Sequence, residues 1–160
     1  MTGATSRIVV LVRHGRAESG GEGADHQRPL TPEGRATAAE QGQWLAAEVP
    51  APDEVWVSSA ARAVQTWDAM ALSVDAPEAT VERALYLAGA RELIDRITAW
   101  RRVEEKKKGK GSTLLVVGHN PTLEEVVTLL TGQVRGLRPG AVAVVDLDEG
   151  RVLDLREPRG

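Results

Sequence analysis

The run Ile8-Val9-Val10-Leu11-Val12, five apolar residues of which four are β-branched, stops on Arg13-His14-Gly15. So short and β-branched a run does not make a helix; it suits a strand covered on both faces, as in a parallel sheet. The polar trio then falls at the carboxyl end of that strand, the edge where open α/β sheets gather their functional groups. A second run, Thr113-Leu114-Leu115-Val116-Val117, ends in the same manner on Gly118-His119-Asn120-Pro121-Thr122. The spacing therefore predicts an α/β chain in which two strand ends bring a histidine each to one edge.

The segments between carry helix signals. Thr31 is placed as an N-cap, Pro32 takes the first helical position and Glu33 suits the helix dipole. Ala39, Gly42, Leu45, Ala46 and Val49 are the expected inward face, and Pro50 and Pro52 end the helix. Glu54 to Ser58 reads as a short strand. A helix opened by Ser59 and running through Ala63, Trp67 and Met70 places Arg62 in its first turn, beside N–H groups that favour an anion. Val81 to Leu87 is expected to be extended. Ala90 to Arg102, with Leu93, Ile94, Ile97 and Trp100 on one face, is expected to be helical.

After Asn120 as cap and Pro121 as first residue, Glu124 and Glu125 lead a helix with Val126, Val127, Leu129 and Leu130 on its stripe. Ala141 to Leu147 and Arg151 to Leu155 read as a hairpin joined through Asp148-Glu149-Gly150. Arg16 to Pro29 is a glycine-rich loop over the first strand end, and Glu104 to Gly111 a solvated connector. Gly109-Lys110-Gly111-Ser112-Thr113 lacks a lysine directly before its hydroxyl residue and leads into a strand, so it is not a phosphate-cradling loop. Asp146 and Asp148 read as solvated turn acids, having no third ligand nearby. The four tryptophans fit a core that has no phenylalanine to fill it.

At 160 residues the chain is expected to form one domain, 1–160, able to bury about two-thirds of its surface. It has no cysteine, which removes disulfides, thiolate metal sites and cysteine-nucleophile phosphatase chemistry. A net charge of -3 lacks the basic excess of a nucleic-acid binder. The polar start Met1 to Arg7 precedes a run too short for a leader or a membrane span, so the expected compartment is the cytoplasm.

Converging strand ends and a helix start would assemble His14, His119, Arg13 and Arg62. Arginine forks match phosphate oxygens and stay charged at any working pH, so this set suits a tetrahedral dianion. The same guanidinium groups would repel a cation, which disfavours a metal between the histidines.

Arg13-His14-Gly15, Arg28-Pro29-Leu30-Thr31 with Gly34, Ser58-Ser59-Ala60-Ala61-Arg62-Ala63-Val64-Gln65-Thr66, and Gly118-His119-Asn120-Pro121 stand in the order and spacing of the histidine phosphatase superfamily, branch 1. From Ile8 to Leu147 the chain resembles its members, and its length and R-P-L-T segment look like the small SixA-like phosphohistidine phosphatases. The resemblance implies a three-layer α/β/α sandwich of the phosphoglycerate mutase-like type, with a mostly parallel central sheet. It also implies a phosphatase without metal or other cofactor, in which His14 becomes a phosphohistidine intermediate. Arg13, Arg62 and His119 would hold the phosphoryl oxygens, with Asn120 as a further substrate contact; Arg28, fixed by the Pro29 that follows it, reads as a substrate or structural contact, against the alternative of a surface salt bridge.

Two departures matter. Mutases and bisphosphatases of the superfamily have an asparagine six residues beyond the nucleophile, where this chain has Gly20. Many members have a glutamate acid near Tyr86-Leu87, where this chain has Leu87. Both argue against a mutase. An alkoxide gains much from protonation as it leaves, whereas the imidazole leaving a phosphohistidine can carry its own ring proton, so a site without an acid suits phosphohistidine on a protein. Glu18 or Asp25 is the candidate acid if one exists. The alternatives are a phosphatase of a small sugar or nucleotide phosphate, and a module that binds a phosphorylated partner without turnover. His26 reads as a solvated loop histidine, with a substrate contact as the alternative, and Arg16 either extends the positive pocket or points to water. Oligomeric state is not encoded in any feature of the chain.

Overall fold

Alternate residues of the first strand, β1 (Arg7–Arg13), enter opposite cores: Val9 and Leu11 on one face, Ile8, Val10 and Val12 on the other. This is the period-two consequence of a strand covered on both sides. The structure, a computed structural model, describes residues 6–20, 23–107 and 109–159. The expectations for the chain start, for Gly21 and Glu22 in the glycine-rich loop and for Lys108 in the connector fall outside the described residues.

In chain order β1 is followed by α1 (Pro32–Glu48), β2 (Glu54–Ser58), α2 (Ala61–Ala71), β3 (Thr80–Glu82), α3 (Arg83–Leu87), α4 (Ala90–Glu105), β4 (Ser112–Gly118), α5 (Thr122–Thr131), β5 (Val142–Asp146) and β6 (Arg151–Arg156). They form one six-stranded sheet in the order β3-β2-β4-β1-β5-β6. β3, β2, β4 and β1 are mutually parallel, and β5 runs antiparallel to both β1 and β6. α1 and α2 cover the face holding Val10, Val12, Val57, Leu115 and Val117, with Leu45, Trp67 and Met70 in that core. α4 and α5 cover the other, where Ile97, Trp100, Leu123 and Val127 meet Leu114 and Val116. The result is the mostly parallel, helix-flanked sheet that the sequence predicts.

Register decides where the functional groups go. Arg13 pairs with Gly118 across β1 and β4, and Val57 pairs with Val117 across β2 and β4. One step on, Ser58, Gly118 and Arg13 lie in a row, and Ser59, His119 and His14 follow at the same edge.

Several local expectations shift. α1 turns Ala38, Gln41, Gly42 and Leu45 inward, while Ala46 is exposed. The reason is close packing on α2: a Cβ on Gly42 would stand 2.6 Å from the Met70 carbonyl oxygen. The stretch expected to be extended from Val81 to Leu87 is strand only to Glu82, then the short helix α3, with Leu87 exposed. α2 begins at Ala61 instead of Ser59, which still leaves Arg62 in its first turn. α4 runs on to Glu105, and Glu104 is buried, accepting from Ser112 Oγ at 2.7 Å, so that part of the connector is not solvated. Asp146 is likewise buried: its Oδ1 accepts from the backbone N–H groups of Asp148 and Glu149, closing the β5–β6 turn. Asp148 pairs with Arg7 and Arg101. Trp56, Trp67 and Trp100 are core residues as expected.

Candidate active site

The first strand end is held by glycine contacts. His14 donates from its backbone N–H to Gly118 O at 3.1 Å, which ties the two histidine-bearing strand ends together. A Cβ on Gly15 would stand 3.0 Å from Gly34 O, and one on Gly34 would stand 2.4 Å from Arg16 O. Glycine at 34 is required, and at 15 leaves the closest fit, for the loop after β1 to lie against the start of α1, where Thr31 Oγ1 caps Gly34 N at 2.9 Å. From α2, Thr66 Oγ1 accepts from Gly15 N at 3.0 Å and donates to Arg62 O at 2.7 Å, while Gln65 Oε1 accepts from Leu30 N at 2.8 Å. The Gln65-Thr66 pair thus fixes α2 to the loop that presents His14.

His14 Nδ1 lies 2.7 Å from its neighbour's carbonyl, Gly15 O. A carbonyl only accepts, so Nδ1 carries the proton and Nε2 keeps its lone pair. That nitrogen receives Arg62 Nε at 3.3 Å. Burial, opposed by the bond to Gly15 O and reinforced by His119, Arg62 and Arg13, lowers the His14 pKa to about 3. Burial, with the Arg62 charge next, lowers His119 to about 4. Both rings are neutral at physiological pH, with centroids 5.2 Å apart.

His119 Nε2 lies 2.7 Å from Ser58 Oγ, and its Nδ1 is buried without a partner. Arg13 donates from Nη1 to Leu137 O at 2.9 Å, and its Nε is also buried without a partner. Two unpaired nitrogens on the residues gathered around His14 are unusual in a folded chain, where nearly all buried polar groups are paired.

Arg62 is almost fully buried at the centre of this group. Besides His14 it donates from Nη1 to Asp25 O at 2.8 Å and from Nη2 to Asp25 Oδ2 at 3.0 Å. Asp25 starts a single 3₁₀ turn, Asp25–Gln27, within the loop over the strand ends. Its carboxylate also accepts from Tyr86 Oη at 2.7 Å and from Arg28 Nε at 3.0 Å. The Tyr86 hydroxyl first, with Arg62 and Arg28, holds Asp25 well below the usual carboxylate range, and the same bond raises Tyr86. An aspartate so held is ionised and has no proton to give, which removes it as an acid in this arrangement. Glu18 is exposed.

His14, His119, Arg13 and Arg62 are therefore brought together as the sequence predicts. Two expected substrate contacts are turned elsewhere. Arg28 is engaged by Asp25 and by Glu18 O at 2.9 Å, because it braces the loop. Asn120 donates from Nδ2 to Glu124 Oε2 at 2.7 Å and to Leu137 O at 2.8 Å, which uses both of its protons on α5 and the segment after it. His26 reverses its expectation: it is not a free loop histidine, its Nε2 lying 2.7 Å from Ser59 Oγ. Arg16 points outward to Glu33. Sequence reasoning missed Ser58, Ser59 and Tyr86. The serines lie inside the motif that carries Arg62, and Tyr86 lies on α3 in the segment singled out for the glutamate it lacks, with the tyrosine itself passed over.

A family model described as the histidine phosphatase superfamily, branch 1, matches residues 9–86. A SixA protein of Nakamurella multipartitia, assigned as a phosphohistidine phosphatase, has the same fold with a TM-score of 0.80 at 29% identity, over 99% of this chain and 100% of that one. The chain belongs to the histidine phosphatase superfamily. A SixA protein of Agrobacterium tumefaciens, assigned to the same activity, superposes with a TM-score of 0.81 at 25% identity over 96% of this chain and 99% of its own. An uncharacterized Mycobacterium tuberculosis protein is 40% identical over 119 residues, 74% of this chain and 69% of that protein.

As a member of this superfamily the chain is a phosphatase enzyme of SixA-like architecture. Among the described residues of this phosphatase no three His, Cys, Asp or Glu side chains are grouped to hold a metal ion. Nor is any described helix long and apolar enough to cross a membrane.

Proposed function

We propose that this phosphatase removes the phosphoryl group from phosphohistidine on a protein, through a covalent intermediate on His14. The observation that carries the reading is the orientation of the His14 ring: Nδ1 is committed to Gly15 O, so the lone pair of Nε2 is the one presented, and it faces Arg62. In the first step Nε2 attacks phosphorus in line and the bond from phosphorus to the substrate nitrogen breaks; with the other ring nitrogen of the substrate protonated, the departing imidazole leaves neutral without a proton from the enzyme. In the second, water attacks phosphorus, the bond to His14 breaks, His14 is released as the neutral ring with its Nδ1 proton, and the water proton leaves with phosphate.

Arg62, Arg13 and His119 would take the equatorial oxygens, and the two unpaired nitrogens, Arg13 Nε and His119 Nδ1, support that assignment. The ionised Asp25 supports the choice of substrate. A monoester needs a proton donor for its alkoxide, and the carboxylate beside Arg62 has no proton to supply. One domain acting in the cytoplasm, with His14, Arg13, Arg62 and His119 as its working residues, completes the reading.

The test is turnover, in the presence of chelator, of a phosphohistidine protein beside aryl, seryl and sugar phosphates, repeated with His14→Ala. Fast release from phosphohistidine, lost in the variant, is expected. Faster turnover of a sugar or nucleotide phosphate would move the substrate to metabolism, and phosphate-dependent binding without turnover would leave a binding module.

A further inference from the structure

Around the buried group stands a second, outer set that the phosphoryl chemistry does not use. Arg62 is 7% exposed at its side chain and Asp25 53%, so the 3₁₀ turn, with α3 joined to it through the Tyr86–Asp25 bond, forms an outer mouth over the buried guanidinium. Two rings line that mouth. Tyr86 makes edge-to-face pairs with His119, centroids 5.6 Å apart at 74°, and with His26, 4.7 Å apart at 81°. Both partners are fixed independently of Tyr86. His119 is held by Ser58 and His26 by Ser59, at 2.7 Å each, and these serines are successive residues at the end of β2. Tyr86 itself is pinned by its hydroxyl on Asp25 Oδ2. A half-exposed aromatic side chain costs little entropy to hold and offers a large flat contact.

We infer that Tyr86 and His26 form a leaving-group subsite that selects flat, unsaturated leaving groups over flexible aliphatic ones. The inference rests on the phosphatase reading above and deepens it. An imidazole departing from phosphorus is thin enough to lie against the Tyr86 ring and beside His26, whereas the side chain of a phospholysine presents no face to stack. The hydroxyl of Tyr86 is already committed to Asp25, so its contribution to the leaving group is its ring, and recognition follows shape rather than proton transfer.

The experiment compares kcat/KM for two phosphoramidates that share a P–N bond, phosphohistidine and phospholysine, and for a flat O-linked substrate, an aryl phosphate, in wild type, Tyr86→Phe, Tyr86→Leu and His26→Gln. Wild type is expected to favour both flat substrates over phospholysine. Tyr86→Leu should lower that preference about tenfold, the worth of one aromatic contact, and His26→Gln should lower it in the same direction. Tyr86→Phe, which keeps the ring and drops the bond to Asp25, should hold the preference within about twofold. Equal losses on all three substrates in Tyr86→Leu would reduce Tyr86 to a structural role and overturn the subsite. Loss of preference in Tyr86→Phe as large as in Tyr86→Leu would overturn it too, by assigning the effect to Asp25. The two proposals fail separately: an aryl preference that depends on Tyr86, without phosphohistidine turnover, keeps the subsite and removes the substrate, and phosphohistidine turnover indifferent to Tyr86 does the reverse.

Discussion

Arg62 Nε donates to His14 Nε2 across 3.3 Å, so the lone pair assigned to attack is the same one that holds the arginine before an anion arrives. The guanidinium is further fixed by the backbone oxygen and the carboxylate of Asp25. Three directed bonds from one planar group are what arginine provides and lysine does not. Arg62→Lys should therefore lower kcat by about 10²–10³-fold, although the charge is kept. Steady-state kinetics with the best substrate, alongside an unfolding curve to show that the variant is folded, checks this. A loss under about tenfold would mean that charge alone matters at this position.

His14 and His119 make the fold acid-sensitive in a defined window. Their pKa values stand at about 3 and about 4 in the folded chain, lowered chiefly by burial, against about 6.5 when unfolded. Between these values the unfolded chain binds more protons than the folded one, so stability rises with pH across the window. It is complete above about 6.5 and lost progressively as pH falls through about 4 to about 3. Asp25, held below the usual carboxylate range, adds a further loss at the acid end. Urea midpoints measured at several pH values should fall toward acid, and His119→Gln should flatten the curve. Because His14 is neutral throughout, turnover of an acid-stable aryl phosphate should show no loss with an apparent pKa near 6.5 assignable to the nucleophile.

The two histidine-bearing strands were legible because each is a β-branched run that halts on a polar cluster, and because the register of parallel strands leaves few other places for His14 and His119 to go. Arg62 was legible from its place in a helix's first turn. Arg28 and Asn120 are engaged within the chain, which the sequence did not reveal because it shows which donors exist but not which acceptors reach them first. The acceptors are Asp25 and the Glu18 carbonyl for one, Glu124 and the Leu137 carbonyl for the other. Tyr86 and His26 could not be paired from sequence at all, since a turn of 3₁₀ helix and a five-residue helix far apart in the chain meet only once it is folded.

Thr66 links the helix carrying Arg62 to the loop carrying His14. Its hydroxyl is buried and is the partner of the Gly15 N–H at 3.0 Å. Thr66→Val keeps the shape and leaves that N–H unpaired, a cost of about 1–3 kcal/mol. Because Gly15 also supplies the carbonyl that fixes the His14 ring, the variant should lose kcat as well as stability. Thr66→Ser should restore most of both. A destabilised Thr66→Val enzyme with wild-type kcat in its folded fraction would separate the anchor from the chemistry.

Gly42 and Gly34 are both closed to a methyl group, yet for different parts of the molecule. An added Cβ at Gly42 meets the Met70 carbonyl oxygen at 2.6 Å, in the packing of α1 on α2 away from the strand ends. At Gly34 it meets Arg16 O at 2.4 Å, in the loop that leads out of His14. Backbone cannot yield as a side-chain tip does, so each alanine should cost about 1–3 kcal/mol. The activities should diverge. Gly42→Ala must push α1 from α2 at Met70, roughly two turns beyond Arg62, so its folded fraction should keep more of kcat and KM than that of Gly34→Ala. Gly34→Ala must push the Gly15-Arg16 segment away from α1, tilting the carbonyl that orients the His14 ring, so its folded fraction should lose kcat. Thermal unfolding paired with kinetics below the transition reads both effects, and equal kinetic damage from the two substitutions would show that the site senses the packing of α1 as a whole.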